Sequence, residues 1–183
     1  MRAMSKPVKS DPHNGSVSVS QRVAYMGSGL ALALILGYVE TLIPFDFAVP
    51  GVKLGLSNLV IVITLFAFGW KEALTIDILK VLLSGLLFGN SAMMLYSMTG
   101  ALLSFSVMTL FWRIDRFSPM GISISGGVAH NLGQLMIAMV MMHTAGIVSY
   151  LPILVISGAV TGALLGTVAA AVLHRIRQGQ NTF

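Results

Sequence analysis

The chain has 183 residues, 56% of them hydrophobic and only 9% charged, with 11 Lys/Arg against 6 Asp/Glu and no cysteine; its mean hydropathy is +0.87. A soluble domain carries roughly 25% charged residues, so too little charge remains to coat a water-facing globule, and most of the outer surface must face lipid. Disulfides, thiolate metal sites and cysteine nucleophiles are excluded, and the excess of cations sits at helix ends, where membrane orientation accounts for it without nucleic acid.

Residues 1–20 hold Lys6, Pro7, Lys9, Asp11, Pro12, Asn14 and Gly15 among serines, with no hydrophobic period. They read as a disordered cytoplasmic tail. The apolar run that follows, 23–43, is about as long as a membrane crossing requires, roughly 20 residues. It ends in Thr41-Leu42-Ile43-Pro44 with no small-x-small cleavage site, which argues against a removed signal peptide. Pro44 and the Pro50-Gly51 pair then break the pattern. Further spans are expected at 54–69, 73–88, 92–112, 121–143 and 148–173, with a polar connector at 113–119 and a turn at Gly89-Asn90-Ser91. The second and third are short, so one of them is expected to be tilted, broken or partly re-entrant.

This is an all-α, polytopic membrane protein with six predicted transmembrane helices. It divides into the tail 1–20, a helical membrane domain 21–174 and a short cytoplasmic tail 175–183. With the N-terminus inside, the cytoplasmic segments collect Arg2, Lys6, Lys9, Arg22, Lys71, Arg113, Arg116, Arg175 and Arg177, nine of the 11 basic residues. That asymmetry predicts both termini in the cytoplasm of a bacterial inner membrane.

Helices in lipid associate through close packing at small residues. Gly29, Ala33 and Gly37 recur every fourth position on the first helix, and Gly158, Gly162 and Gly166 on the last. Either stripe can pack within the bundle or dock a separate membrane subunit.

Ionisable groups at membrane depth cost roughly 2.5–3.5 kcal/mol each at the centre of a span and mark functional candidates. Asp77 and Lys80 are three apart, on one helical face and able to pair. His130, Asn131 and Gln134 cluster on the fifth helix, Glu40 ends the first, and Asn58 lies in the second behind the turn that carries Lys53. The competing account is internal pairing that fixes helix register. No catalytic signature accompanies these groups. The chain lacks a G-x-x-x-x-G-K-[ST] phosphate loop, clustered carboxylates for Mg²⁺ and an H-x-x-x-H pair for zinc, so neither a metal nor an organic cofactor is expected.

Pro50-Gly51-Val52-Lys53-Leu54-Gly55-Leu56-Ser57-Asn58, Leu82-Leu83-Ser84-Gly85-Leu86-Leu87-Phe88-Gly89 and Gly127-Val128-Ala129-His130-Asn131-Leu132-Gly133-Gln134 together resemble the Gx transporter family, also called heptaprenyl diphosphate synthase component I. That family is similar in turn to the substrate-binding S components of energy-coupling factor transporters. The resemblance implies six helices, an outward-facing pocket, a first loop able to act as a lid, and a partner-docking face on the first helix, where Gly29, Ala33 and Gly37 lie. It implies a non-catalytic small-molecule-binding subunit, with Lys53, Asn58, Lys80, His130, Asn131 and Gln134 lining the pocket and Asp77 and Glu40 supporting it. Its partners would be energising transporter subunits or, in the alternative, a soluble prenyl synthase served by a prenyl-lipid-binding accessory. A ligand-free membrane scaffold is the remaining reading.

Overall fold

The structure is a computed structural model that describes residues 18–42 and 55–180. The predicted tail through residue 17 and the connector 43–54, with Lys53, lie outside the described residues. Six α-helices follow in order: α1 (Val19–Leu42), α2 (Asn58–Ala67), α3 (Trp70–Phe88), α4 (Ser91–Ile114), α5 (Pro119–Met142) and α6 (Leu151–Gln180), with a 3-10 helix, Ala145–Tyr150, before the last.

Local chemistry sets most of the helix ends. Ser18 and Gln21 cap α1 reciprocally, the Gln21 N–H donating to Ser18 Oγ and the Ser18 N–H to Gln21 Oε1. Each satisfies an amide that the first turn leaves without a partner. Asn90 Oδ1 accepts from the Met93 N–H at the start of α4. Ser118 Oγ accepts from the Gly121 N–H ahead of α5, and Pro119 supplies a preset first helical residue. Gly69, at φ 114°, makes the left-handed bend that separates α2 from α3.

Four segments are long and apolar enough to cross a membrane: α1, α4, α5 and the 3-10 helix with α6. The chain is a membrane protein. α2 departs from the sequence expectation of a span at 54–69. Its ten residues reach only about 15 Å at 1.5 Å per residue, about half of a 30 Å hydrocarbon core. Gly55, Leu56 and Ser57 form a turn in place of its first helical turns. α3 has the length of a span but carries Lys71, Glu72, Asp77 and Lys80.

α2 is apolar all round because it is enclosed. It packs against α1, α3, α5 and α6, and Ile61, Val62, Leu65 and Phe66 are each at most 1% exposed. Ala33 of α1, Ile76 of α3, Phe105 and Met108 of α4, Ile122 of α5 and Leu173 of α6 complete this core. The outer faces stay apolar too. Leu32 and Ile35 of α1, Leu110 of α4, Val140 of α5 and Leu164 of α6 are all exposed, as a lipid-facing surface requires.

The helix directions gather charge at one end. Arg22 near the start of α1 pairs with Glu72 near the start of α3, and Arg113 at the end of α4 and Lys71 both lie 5.7 Å from the Trp70 ring centre. Glu40, near the other terminus of α1, lies at the opposite end, and so does the cavity described below.

Candidate functional site

Because α2 begins only at Asn58, the space above its first turn is left to its neighbours, and small side chains do not fill it. Ala33, Gly37 and Glu40 come from α1, and Gly55, Ser57 and Asn58 from the turn and the start of α2. Lys80, Val81 and Ser84 come from α3, Ser97 from α4 and His130 from α5. Together they border a cavity of about 430 Å³ of unfilled space, its open mouth included.

Its charged groups are held from beneath. Lys80 and Asp77 are 5% and 3% exposed. Lys80 Nζ lies 2.8 Å from Asp77 Oδ1, an ion pair whose angle falls outside hydrogen-bond geometry. The same ammonium donates to Asn58 Oδ1 at 3.2 Å. It has three protons, so these two contacts leave it a further donor. On the facing wall, Glu40 is 6% exposed and accepts from the Gly55 backbone N–H. Gly55 has φ 78°, and a Cβ there would lie 3.1 Å from Asn58 Nδ2. The backbone angle favours glycine at this turn, and an added Cβ would also press on the Asn58 amide.

A second cavity, about 230 Å³ with its mouth, shares Gly55 and Asn58 with the first and continues between α2, α4, α5 and α6, past Ser123 and Thr161. Asn58 thus stands in the wall of both.

The sequence-predicted site residues separate into groups. Glu40, Asn58, Lys80 and His130 meet at the first cavity, with Asp77 behind Lys80. Asn131 does not line it. Its Nδ2 donates to the Leu154 carbonyl at 2.9 Å and to Ser157 Oγ at 3.2 Å, both on α6. Gln134 is 3% exposed and packs beside Gly100 of α4, outside the lining. Lys53 lies outside the described residues. Ser57, Ser84 and Ser97 line the cavity without having been singled out. For Ser84 the signal existed, since it follows Lys80 by four and shares its face. Ser97 carried none.

The α1 stripe turns inward. Ala33 is fully buried, and a Cβ on Gly29 would touch Ile76 of α3 at 3.3 Å and Val60 of α2 at 3.8 Å. Gly37, one turn further on, borders the cavity.

Among the described residues no three His, Asp or Glu side chains gather as a metal site. No curated protein and no solved structure matches the chain significantly. A protein-family model described as heptaprenyl diphosphate synthase component I matches residues 30–172, a stretch that runs from α1 to α6 and contains every wall of both cavities. On that match, the chain belongs to the heptaprenyl diphosphate synthase component I family.

Proposed function

We propose that this chain is a non-catalytic membrane subunit that binds a small polar molecule in the cavity between α1 and α5 and works with separate partner subunits. The observation that carries the reading is Lys80, held at membrane depth by Asp77 and Asn58 in the wall of an unfilled cavity. Burying charge in a bundle is costly, and a pair that only fixed register would need no open space beside it. In this reading the chain passes through a bacterial inner membrane six times, the half-length α2 serving only as the inner part of the second passage, with both termini in the cytoplasm. It acts like an S component that presents its ligand for transport. The cations gathered at one end, Arg22, Lys71 and Arg113, support that orientation.

Native mass spectrometry of the purified protein tests the reading. A water-soluble small molecule should be retained, and Lys80→Met should lose it. A protein that emerges empty under gentle conditions, and stays empty after incubation with metabolite extract, would sink the proposal. Cysteines placed at Ser118 and Gln178 should resist an impermeant thiol reagent in intact cells; labelling of Ser118→Cys overturns the six-crossing topology.

A second reading is favoured by the family description itself. The chain would be the membrane accessory of a prenyl diphosphate synthase whose catalytic component is a separate soluble protein. The sequence supports a non-catalytic role in that pair, since it supplies no aspartate-rich Mg²⁺ motif. Retention of a prenyl lipid instead of a soluble metabolite would select this reading.

A further inference from the structure

The polar side chains of α4 behave differently on its two sides. Thr99 and Ser106, on the exposed side, donate to the carbonyls of Leu95 and Leu102, four residues back. Against lipid, where water is absent, the helix's own carbonyl is the partner at hand. On the buried side that bond is not made. Ser104 is 1% exposed, and its Oγ has no hydrogen-bond partner among the described residues. The same holds for Trp112 Nε1 and Asp115 Oδ1, and for Thr109 Oγ1, next in the chain to Met108. Ser104, Met108, Trp112 and Asp115 follow at intervals of four, four and three, which is one helical face. Met108 fixes where that face points, since it borders the second cavity together with Ser123 of α5. Opposite stands Gly126 of α5, where an added Cβ would lie 2.6 Å from Met108 Sδ and 3.2 Å from Ser104 Oγ. A glycine offers Ser104 no side-chain partner. The row of unpartnered atoms thus runs from beside the second cavity to the charged end of the bundle, where Asp115 follows Arg113. Buried polar groups are almost always bonded to protein or to ordered water, and along this row protein supplies nothing.

We propose that water enters the bundle along this face of α4, from the charged end as far as the second cavity, and forms the inner half of a passage whose outer half is the first cavity. Ser123 and Thr161 give the water polar walls at its upper end. Asn58 divides the two halves: it lines both cavities, and its Oδ1 is held by the Lys80 ammonium. Withdrawal of Asn58 would open to a bound molecule a hydrated way towards the charged end. That use alone rests on the reading of the first cavity as a ligand site; the water route does not.

The chain has no cysteine, so single introduced cysteines report water without interference. A thiol reacts as its thiolate, which forms in water and not in lipid. The probe is silver ion in chloride-free buffer, small enough for a narrow route, applied to one face of sealed right-side-out or inverted vesicles. Ser91→Cys and Arg116→Cys, at opposite ends of α4, identify the two faces. Ser104→Cys and Ser123→Cys should be blocked at least tenfold faster than Leu102→Cys and Leu110→Cys, exposed positions on α4, and only from the Arg116 side. With Asn58→Ala added, silver should reach Ser104→Cys from both sides. Melting temperatures verify folding, and Ser123→Cys carries the test alone if Ser104→Cys does not fold. An empty first cavity in native mass spectrometry would sink the ligand reading and leave these rates unchanged. Thiols at 104 and 123 that react no faster than the lipid-facing positions would overturn the route. Blocking from the Ser91 side in the undivided protein would bring the water through the first cavity and overturn it equally. One-sided blocking that persists with Asn58→Ala would overturn the division at Asn58.

Discussion

Small residues recur every fourth position on α1 and again on α6, and the two stripes do opposite things. On α6, Gly158, Gly162 and Gly166 lie against the backbone of α5. A Cβ on Gly162 would come within 2.7 Å of Ile124 Cα, and one on Gly166 within 2.6 Å of Met120 Cα. Asn131 then ties the seam with hydrogen bonds to Leu154 and Ser157. On α1, Gly29 and Ala33 close onto α2 and α3, but a Cβ on Gly37 would meet nothing within 4 Å. There the stripe opens into the cavity. An identical pattern therefore builds a sealed helix pair in one place and a vacant polar space in the other, according to whether the facing helix is continuous. α5 runs the full length of α6's stripe, whereas α2 stops at Asn58.

The seam should break hardest. Gly162→Leu drives a side chain into the α5 backbone, where neither partner can yield. We expect loss of the monodisperse folded protein in size-exclusion chromatography; a folded, stable variant would show that the α5–α6 contact is not essential.

Next come the charges beneath the cavity. Asp77→Asn or Lys80→Met leaves one buried charge uncompensated, a loss of about 3–5 kcal/mol. The double substitution should recover much of it. Melting curves of the three variants decide the point, and equal losses in single and double variants would deny that the pair is coupled.

His130 and Asn131 sharpen the comparison directly, since they are neighbours assigned to different regions. Asn131→Ala removes the hydrogen bonds to α6 and should cost about 1–2 kcal/mol of stability, with the retained small molecule still bound by the folded fraction. His130→Ala should do the reverse, lowering affinity tenfold or more, about 1.4 kcal/mol, with little change in melting temperature. Exchanged outcomes would place the site at the seam instead of the cavity.

The smallest effect belongs to Gly37→Ala. The new methyl has open space, and removing a mid-helix glycine gains up to about 1 kcal/mol in helix propensity. Stability should hold or rise slightly while ligand occupancy falls, because the methyl enters the cavity. A marked drop in melting temperature would mean that the α1 face is as tightly packed as the α6 face.

Much of the candidate site was legible because helical periodicity is local. Asp77 and Lys80 pair within one turn of one helix, so spacing alone brought them together. Grouping His130 with Asn131 was less secure for the same reason, since adjacent residues on a helix project about 100° apart. One faces the cavity and the other α6. The contact between Glu40 and Gly55 crosses the α1–α2 connector, and no spacing rule anticipates it.

By itself, the sequence determined that the chain is helical and lipid-facing, roughly where its helices lie, and that cations gather at one end, because hydropathy and charge act over a few residues. The tertiary structure alone decided that α2 is a half-length buried helix, that one small-residue stripe seals and the other opens, and which polar side chains share a cavity. Periodicity identifies the residues on a common helical face, but only packing determines what that face meets.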